Sequence, residues 1–179
     1  DVDPHAGAHA LGASGITVYG GKLEALHLPQ GRYDAIVMNH VIEHAADPLG
    51  LLQECHRLLV AGGQLVVVTP NTLSLGHRLF AAHWVNLDPP RHLFLFSVRN
   101  LPLLARKAGY SRIETRTSAA AAAFSGAASW DISRRGRHKM NRSPPATTRI
   151  IGLAFQIAAS LAIRIWRQSG EEIALRAWK

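Results

Sequence analysis

The sequence predicts an α/β protein with a mostly parallel sheet covered by helices on both faces. Residues 35–38 and 65–68 are short apolar runs that end in polar residues, which is typical of buried parallel strands. Between these runs, Asp47 and Pro48 are a plausible cap and a favoured first residue for a helix with leucines at roughly helical spacing. Strand, helix and strand in this order predict a parallel pair with a right-handed crossover.

The part of the chain before this unit contains weaker signals. Residues 1–12 are typical of a strand end followed by a helix that starts at Pro4. Residues 15–19 form a short strand candidate that two glycines interrupt, and residues 23–26 favour a turn or a short helix.

Beyond the unit, the helix after Pro48 is expected to end at Gly62 and Gly63. Residues 72–97 are neither cleanly helical nor alternating, which favours a functional loop or lid over the strand ends. Ser97 predicts the cap of a helix that Gly109 ends. Further strands are predicted at residues 110–117 and 171–178.

Length and composition indicate one globular domain with a sizeable core, because 179 residues with 47% hydrophobic and 18% charged residues match that class. The single cysteine, Cys55, cannot form an internal disulfide, which favours a reducing compartment and therefore the cytoplasm. The chain opens at Asp1 rather than methionine, and we expect it to be a fragment.

Residues 130–149 are strongly basic and form either a solvated loop or a patch for phosphates or anionic lipid headgroups. Aromatic residues do not alternate with these charges, so nucleic acid is an unlikely partner. The cations are Arg134, Arg135, Arg137, Lys139, Arg142 and Arg149.

Residues 150–163 carry no charge, but fourteen residues fall short of the ~20 that span a bilayer. This segment is expected to be buried or to lie in a membrane interface beside the basic patch. Residues 130–166 therefore form a candidate peripheral membrane contact. The sequence leaves the oligomeric state open.

Ligands of open parallel sheets bind beyond the carboxyl ends of the strands, so polar strand ends are candidate site residues. They are Asp1, residues 21–24, Asn39 with His40, and Asn71. Asp1 could equally be an ordinary helix cap.

Three histidines, His40, His44 and His92, are predicted near the mouth of this site and could accept a proton near neutral pH. Glu43 adds a carboxylate between His40 and His44, but no third ligand follows at a motif-like spacing, so no metal is predicted. The alternative for His44 is a cap on the next helix. The sequence also lacks a nucleophile elbow, a phosphate loop and a Cys-x-x-Cys pair.

Several segments together resemble class I S-adenosylmethionine-dependent methyltransferases of the ubiquinone-biosynthesis and lipid or glycan O-methyltransferase type. They are DVDPHA, LEALHLP, YDAIVMNHVIEH, LLVAGGQLVVVTPN and LDPPRHLFLFS. The resemblance covers residues 1 to about 117, and GEEIALRAWK is similar to the final strand of that family. It implies a Rossmann-like sheet with an antiparallel final strand.

The resemblance implies cofactor contacts for Asp1, Leu23, Glu24, Asn39, His40 and His44. Asp1 would hold the ribose of S-adenosylmethionine, Leu23 and Glu24 would flank the adenine, and Asn39 with His40 would lie near the methionine portion. Lys22 is a departure, because similar sequences usually have an aspartate there. The first strand and the glycine-rich loop of the family would precede Asp1 and are missing from this chain.

The chemistry that the resemblance implies is methyl transfer to a small acceptor, most readily at oxygen, including lipid- or glycan-linked molecules. His92 is the candidate base, and Arg91 is the candidate residue for holding an anionic substrate. A structural loop that packs back on the sheet is the alternative for both residues. A nicotinamide-dependent enzyme would instead require a dinucleotide glycine fingerprint upstream.

The chain is expected to divide into an incomplete methyltransferase core at residues 1–118, a basic and apolar insertion at 119–169 and the final core strand at 170–179. A competing hypothesis is an inactive domain of this fold that binds a membrane surface or a partner through residues 130–166.

Overall fold

The computed structural model describes residue 17, residues 19–136 and residues 145–179, which form a four-stranded mixed sheet with flanking helices. The strand order is β1-β2-β4-β3, with β1 parallel to β2 and β4 antiparallel to both of its neighbours. Three of the four strands therefore run in the same direction. The predicted α/β class and the antiparallel final strand are confirmed. The sheet is less parallel than predicted, because β4 lies between β2 and β3 and makes two of the three strand pairings antiparallel. The strands are β1 (Tyr33–Asn39), β2 (Leu59–Pro70), β3 (Arg112–Ser118) and β4 (Glu172–Trp178).

Helix α1 (Pro48–Leu58) connects β1 to β2 and begins as its sequence predicts. The side chain of Asp47 accepts a hydrogen bond of 3.0 Å from the Gly50 N–H, and Pro48 is the first helical residue. The predicted end of α1 was wrong, because β2 begins directly after Leu58 and contains both Gly62 and Gly63.

These glycines have a different role inside β2. Gly62 has a φ of +76°, and a Cβ at Gly63 would lie 2.9 Å from the carbonyl oxygen of Val60. The pair therefore allows the irregularity in register between β1 and β2, where Tyr33 pairs with Leu59 but Ala35 pairs with Gln64.

Helix α2 (Leu75–Phe80) follows β2. The main core lies between one face of the sheet and the helices α1 and α3 (Asn100–Lys107). It combines alternating residues of three strands with apolar residues of both helices: Met38, Leu52, Cys55, Leu65, Val67, Leu101, Ala105, Ile173, Leu175 and Ala177. On the opposite face, Val37 is 67% exposed. The helix predicted at residues 1–12 lies outside the described residues, as do Asp1 and most of the strand predicted at 15–19.

Helix α3 starts three residues later than its predicted cap, although Ser97 still provides the cap interaction. The Ser97 Oγ accepts hydrogen bonds from the N–H groups of Arg99 (3.3 Å) and Asn100 (3.2 Å). At the other end, Gly109 adopts a φ of +107° immediately before the chain turns into β3.

Residues between β3 and β4 form two helices, α4 (Ala122–Arg135) and α5 (Ala146–Ile165). The sequence indicated no helix at α4, because its buried positions are largely alanine, glycine and serine. These small residues let the helices approach closely: a Cβ at Gly152 would lie 2.6 Å from the carbonyl oxygen of Ala123. Gly126 is likewise covered by Phe155. Thr148 contacts Asp131 and Gln156 contacts Ala123, so the two helices pack as an antiparallel pair.

Helix α5 has 20 residues and, among the described residues, is the helix long and apolar enough to cross a membrane by length and composition. The expectation that this segment is too short was therefore wrong. The core helix of a soluble protein can be equally long and apolar, but it is mostly buried. In α5, 22% of an apolar 18-residue stretch is buried. The predicted basic patch continues between α4 and α5, where three of its cations lie outside the described residues. They are Arg137, Lys139 and Arg142.

Candidate functional site

The carboxyl end of β1 continues into a polar cluster centred on His40. His40 has a φ of +52°, and its backbone N–H donates to the Val68 carbonyl of β2 at 2.9 Å. Its Nδ1 lies 3.1 Å from Glu43 Oε1 and its Nε2 lies 3.0 Å from Glu172 Oε1. Hydrogen bonds to Glu172 and Glu43 raise the pKa of His40 to about 9. At neutral pH both ring nitrogens therefore carry protons, and the imidazolium links β1 to β4 across β2.

Glu43 is almost fully buried beside this imidazolium, with 1% of its surface exposed. Burial by itself would raise the pKa of Glu43, but hydrogen bonds from His40 and Thr69 outweigh it, so the pKa is lowered. The Thr69 Oγ1–H donates to Glu43 Oε2 at 2.9 Å. The backbone carbonyl of Glu43 also accepts from the N–H of Leu93 at 2.8 Å, which attaches the lid segment to the end of β1.

We call residues 81–96 the lid, because two short 3-10 helices and a loop here lie over the strand ends. His44 Nδ1 donates to the carbonyl of Arg91 at 2.9 Å, and His92 Nδ1 donates to the carbonyl of Asn86 at 2.7 Å. A carbonyl oxygen can only accept, so each Nδ1 carries a proton and each neutral ring has its lone pair on Nε2. The two rings meet edge to face with centroids 4.8 Å apart.

This arrangement corrects the alternative in which His44 caps the next helix, because Asp47 provides that cap. His44 instead connects the end of β1 to the lid.

Glu43, His44 and His92 offer one ligand atom each within 4.8 Å of one another. A carboxylate and two imidazoles whose Nδ1–H groups bind carbonyls are a suitable ligand set for a divalent cation. The sequence placed both histidines near the same site, but local spacing could not indicate a ligand set, because His92 lies 48 residues after His44 in the chain.

A small crevice opens beside the cluster and is lined by Glu43, Thr69, Trp84, His92, Phe94 and Phe96, among other residues. Its walls combine the rings of Trp84, Phe94 and Phe96 with the Glu43 carboxylate and the His92 ring.

Arg91 lies at the outer surface of the lid, where its guanidinium is 65% exposed and pairs with the Asp88 carboxylate at 2.7 Å. Its carbonyl accepts from His44. The structure therefore gives Arg91 a contact within the lid, beside His92.

The residues expected to contact the cofactor lie in three parts of the chain. Asn39 is exposed next to His40 at the end of β1. Leu23 and Glu24 belong to a short 3-10 helix (Leu23–Leu26) beside α1, where Leu23 packs against the core and Glu24 is exposed. Asp1, the third part of the expected site, lies outside the described residues.

Two strand-end residues prove to be structural. Asn71 is fully buried, and its Nδ2 donates to the carbonyls of Gln168 and Gly170 just before β4. Glu171 is also fully buried and accepts from the Gly76 N–H (2.7 Å), Trp84 Nε1–H (3.2 Å) and Ser125 Oγ–H (2.6 Å). Glu171 thereby joins β4, the lid and α4, a role that no local sequence signal indicated.

The sequence matches a family described as a methyltransferase domain over residues 3–115. A ubiquinone biosynthesis O-methyltransferase of Cereibacter sphaeroides is 38% identical over 64 residues, which cover 35% of this chain and 26% of that protein. A probable S-adenosylmethionine-dependent methyltransferase of Mycolicibacterium smegmatis is 37% identical over 59 residues, covering 33% and 23%. The matches thus span about a quarter of these curated relatives.

Solved structures share the fold at low sequence identity. A putative sarcosine dimethylglycine methyltransferase of Galdieria sulphuraria superimposes with a TM-score of 0.60 at 20% identity, covering 100% of this chain and 68% of that one. A possible histamine N-methyltransferase of Thermotoga maritima gives 0.57 at 19% identity, covering 92% and 65%. The expected Rossmann-like architecture is confirmed. Because the family match extends over more than half of the residues, the chain belongs to the methyltransferase-domain family.

Proposed function

We propose that the protein transfers a methyl group from S-adenosylmethionine to an oxygen atom of a small acceptor, including lipid- or glycan-linked ones. The family supports methyl transfer, and the O-methyltransferase relative of Cereibacter sphaeroides supports oxygen as the acceptor atom. The observation that supports the proposal is the position of His92, whose ring lines the crevice and whose Nδ1–H is held by the carbonyl of Asn86.

The residues present fit part of this cofactor. Asn39 presents an exposed amide at the end of β1, and Glu24 presents an exposed carboxylate beside the half-buried Leu23. An amide, a carboxylate and an apolar side chain suit the amino acid, hydroxyl and adenine groups of the cofactor. When bound, S-adenosylmethionine supplies an electrophilic methyl carbon whose bond to sulfur breaks as the new carbon–oxygen bond forms.

His92 would act on the proton of the acceptor hydroxyl. Its Nδ1–H is held by the carbonyl of Asn86, so the ring keeps its orientation and Nε2 accepts the proton. The resulting imidazolium lies near the buried Glu43 carboxylate, which stabilises its charge until the proton passes to water. We also propose that Arg91, at the outer edge of the lid, attracts an anionic acceptor.

The test uses the full reading frame with tritiated S-adenosylmethionine and a cell lipid extract as the source of acceptors. His92→Ala should lower kcat about 100-fold or more without a matching change in KM. His83→Ala, an exposed histidine of the same lid, is the matched control and should keep normal turnover. Unchanged turnover in His92→Ala would end the proposal for a base.

Glu43, His44 and His92 have a second proposed role, which is to bind a divalent cation together. The short distances between their ligand atoms favour this role. In that case EDTA should abolish methyl transfer, and added Mg²⁺, Mn²⁺ or Zn²⁺ should restore it. With His92 as a base alone, EDTA should have no effect on the rate of methyl transfer.

The second candidate function is an inactive domain of the same fold that binds a membrane or a partner through residues 130–166. The exposed apolar residues of α5 favour it. Isothermal calorimetry with S-adenosylmethionine on the full reading frame separates the two functions. Binding supports the methyltransferase, and its absence supports the inactive domain.

We further propose a cytoplasmic location at the inner face of the membrane. The single cysteine and the cationic charge of residues 130–149 support it, because cytoplasmic leaflets carry anionic lipids. Fractionation of cells that express a tagged full-length protein should place it in the membrane pellet and release it with high salt. Its appearance outside the cell would contradict the proposal.

A further inference from the structure

Helix α5 has an apolar outer face that no other part of the described structure covers. We define the outer face as Ile150, Leu153, Ile157, Leu161 and Ile165, which are between 53% and 92% exposed. Their spacing of three and four residues places them on one stripe, about 22 Å long at 1.5 Å per residue. Exposed apolar stripes of this kind mark interaction surfaces.

The opposite face of α5 already forms the contact with α4. Its buried residues are Thr148, Gly152, Phe155 and Ala159, and Thr148 donates to the buried Asp131 of α4 at 3.2 Å. The polarity of the helix is thus inverted relative to a normal surface helix, which presents charged residues to solvent. The outer face is therefore available to an external partner.

The charged residues in the sequence from 132 to 170, which contains the outer face, are all cationic. The sequence contains no acidic residue between Asp131 and Glu171 but eight Lys or Arg residues. Two of them, Arg149 and Arg164, are exposed near the two ends of the stripe. A second copy of this chain would bring cations against cations. An anionic partner with an apolar interior matches both the stripe and its flanking charges.

We infer that the outer face of α5 rests on an anionic lipid bilayer, with the apolar stripe below the headgroups and the arginines among them. Insertion as a single span is disfavoured, because it would separate α5 from α4, break the hydrogen bond from Thr148 to Asp131 and remove Phe155 from Gly126. Trp130 of α4 is 38% exposed and lies under the Arg134 guanidinium, 5.6 Å from its ring centroid. Tryptophan and arginine near the same end of the pair are typical of the membrane interface.

This inference does not depend on methyl transfer, since it rests on α5 and its charges alone. It does have a consequence for the site. Helix α4 contacts the lid directly: Ser125 accepts from Trp84 Nε1–H at 3.3 Å, and Ser129 accepts from the Val85 N–H at 3.0 Å. A bilayer under α5 would therefore lie at a fixed distance from the crevice.

The test is co-sedimentation of the 179-residue chain with two kinds of vesicle, pure phosphatidylcholine and phosphatidylcholine with phosphatidylglycerol. We expect binding to the mixed vesicles and little to the neutral ones. The double variant Leu153→Glu with Ile157→Glu should weaken binding about tenfold or more, because it places charges in the apolar stripe. Leu103→Glu, an equally exposed leucine of α3 at 66%, should leave binding unchanged.

A second pair of variants tests the charges separately. Arg149→Gln with Arg164→Gln should reduce binding to the mixed vesicles and flatten its dependence on salt. Circular dichroism confirms that each variant keeps its helices. Failure of the unmodified chain to bind mixed vesicles, or unchanged binding by the glutamate variant, would overturn the inference. So would a dimer in the absence of lipid that the glutamate variant dissociates, because the outer face would then be an interface between two copies.

Discussion

The β1–α1–β2 unit and the α4–α5 pair use apolar residues in opposite ways. In the first, nearly every large apolar side chain of α1 faces the sheet, and Leu52 and Leu58 are at most 1% exposed. In the second, the buried face of α5 contains glycine, alanine and threonine with one phenylalanine, while five of its seven isoleucines and leucines face outward. Folding alone explains the first pattern. The second matches the proposed contact of α5 with a bilayer, so the two regions need different experiments.

The largest expected effect compares one leucine from each region. Leu52→Ala should lower the free energy of unfolding by about 2–5 kcal/mol, because it opens a cavity in the core. Leu153→Ala, at a site 62% exposed, should change it by less than about 0.5 kcal/mol. Urea denaturation of both variants measures the difference. Equal losses would show that the outer face of α5 is buried within the protein and would remove the contrast.

Glu171 connects the two regions, and its replacement should have the next largest effect. Glu171→Gln keeps the shape but places an NH₂ group against at least one of the donors from Gly76, Trp84 and Ser125. The free energy of unfolding should fall by about 2 kcal/mol, the usual cost of an unpaired buried donor. Glu114→Gln, on the exposed edge of the sheet, is the control. If both variants were equally stable, the hydrogen bonds of Glu171 would not hold β4, the lid and α4 together.

The imidazolium of His40 should produce a smaller effect that depends on pH. Because its pKa in the folded protein, about 9, exceeds the unfolded value of 6.5, its stabilisation is complete below pH 6.5 and disappears as the pH rises through 9. His40 is partly exposed, so solvent screening limits the contribution to about 1 kcal/mol. The stability difference between the unmodified chain and His40→Gln should therefore shrink between pH 6.5 and 9.

NMR titration of the His40 ring provides the direct measurement. A titration midpoint near 6.5 would show that the contacts with Glu172 and Glu43 do not hold the proton, and a stability difference independent of pH would show the same.

Thiol labelling compares the exposure of α1 with that of α5 directly and does not depend on a change in the free energy of unfolding. Burial raises the pKa of Cys55 to about 12, and this single cysteine is 1% exposed. It should react with Ellman's reagent only as the protein unfolds. A cysteine introduced by Leu153→Cys should react within the mixing time, and anionic vesicles should protect it. Rapid labelling of Cys55 in the folded chain would contradict the packing of α1.

Much of the unit at residues 33–71 could be predicted from local signals. Asp47 and Pro48 mark the start of α1, and alternating burial in β2 follows from its apolar run. The end of α1 could not be predicted, because Gly62 and Gly63 resemble a helix stop while they serve a strand irregularity. Local sequence does not distinguish these two uses of a glycine with positive φ.

The candidate site was predictable only where its residues are close in the chain. The carboxyl end of β1 indicated Asn39, His40 and Glu43, whereas the contacts of His40 with Glu172 and of His44 with the lid join residues far apart in sequence. Helix α4 was missed for a related reason. Its helical face is defined by its fit to α5, and alanines and glycines carry little amphipathic signal.

The hydrogen bonds that Ser125 and Ser129 accept from the lid make the helix pair a rigid spacer rather than a tether. A flexible linker would let the crevice sample many heights above a bilayer. A rigid one sets a single height, so the acceptors that reach His92 would be chosen by the length of the segment between their lipid anchor and their reactive hydroxyl. Selection would then depend on reach as well as on the shape of the crevice.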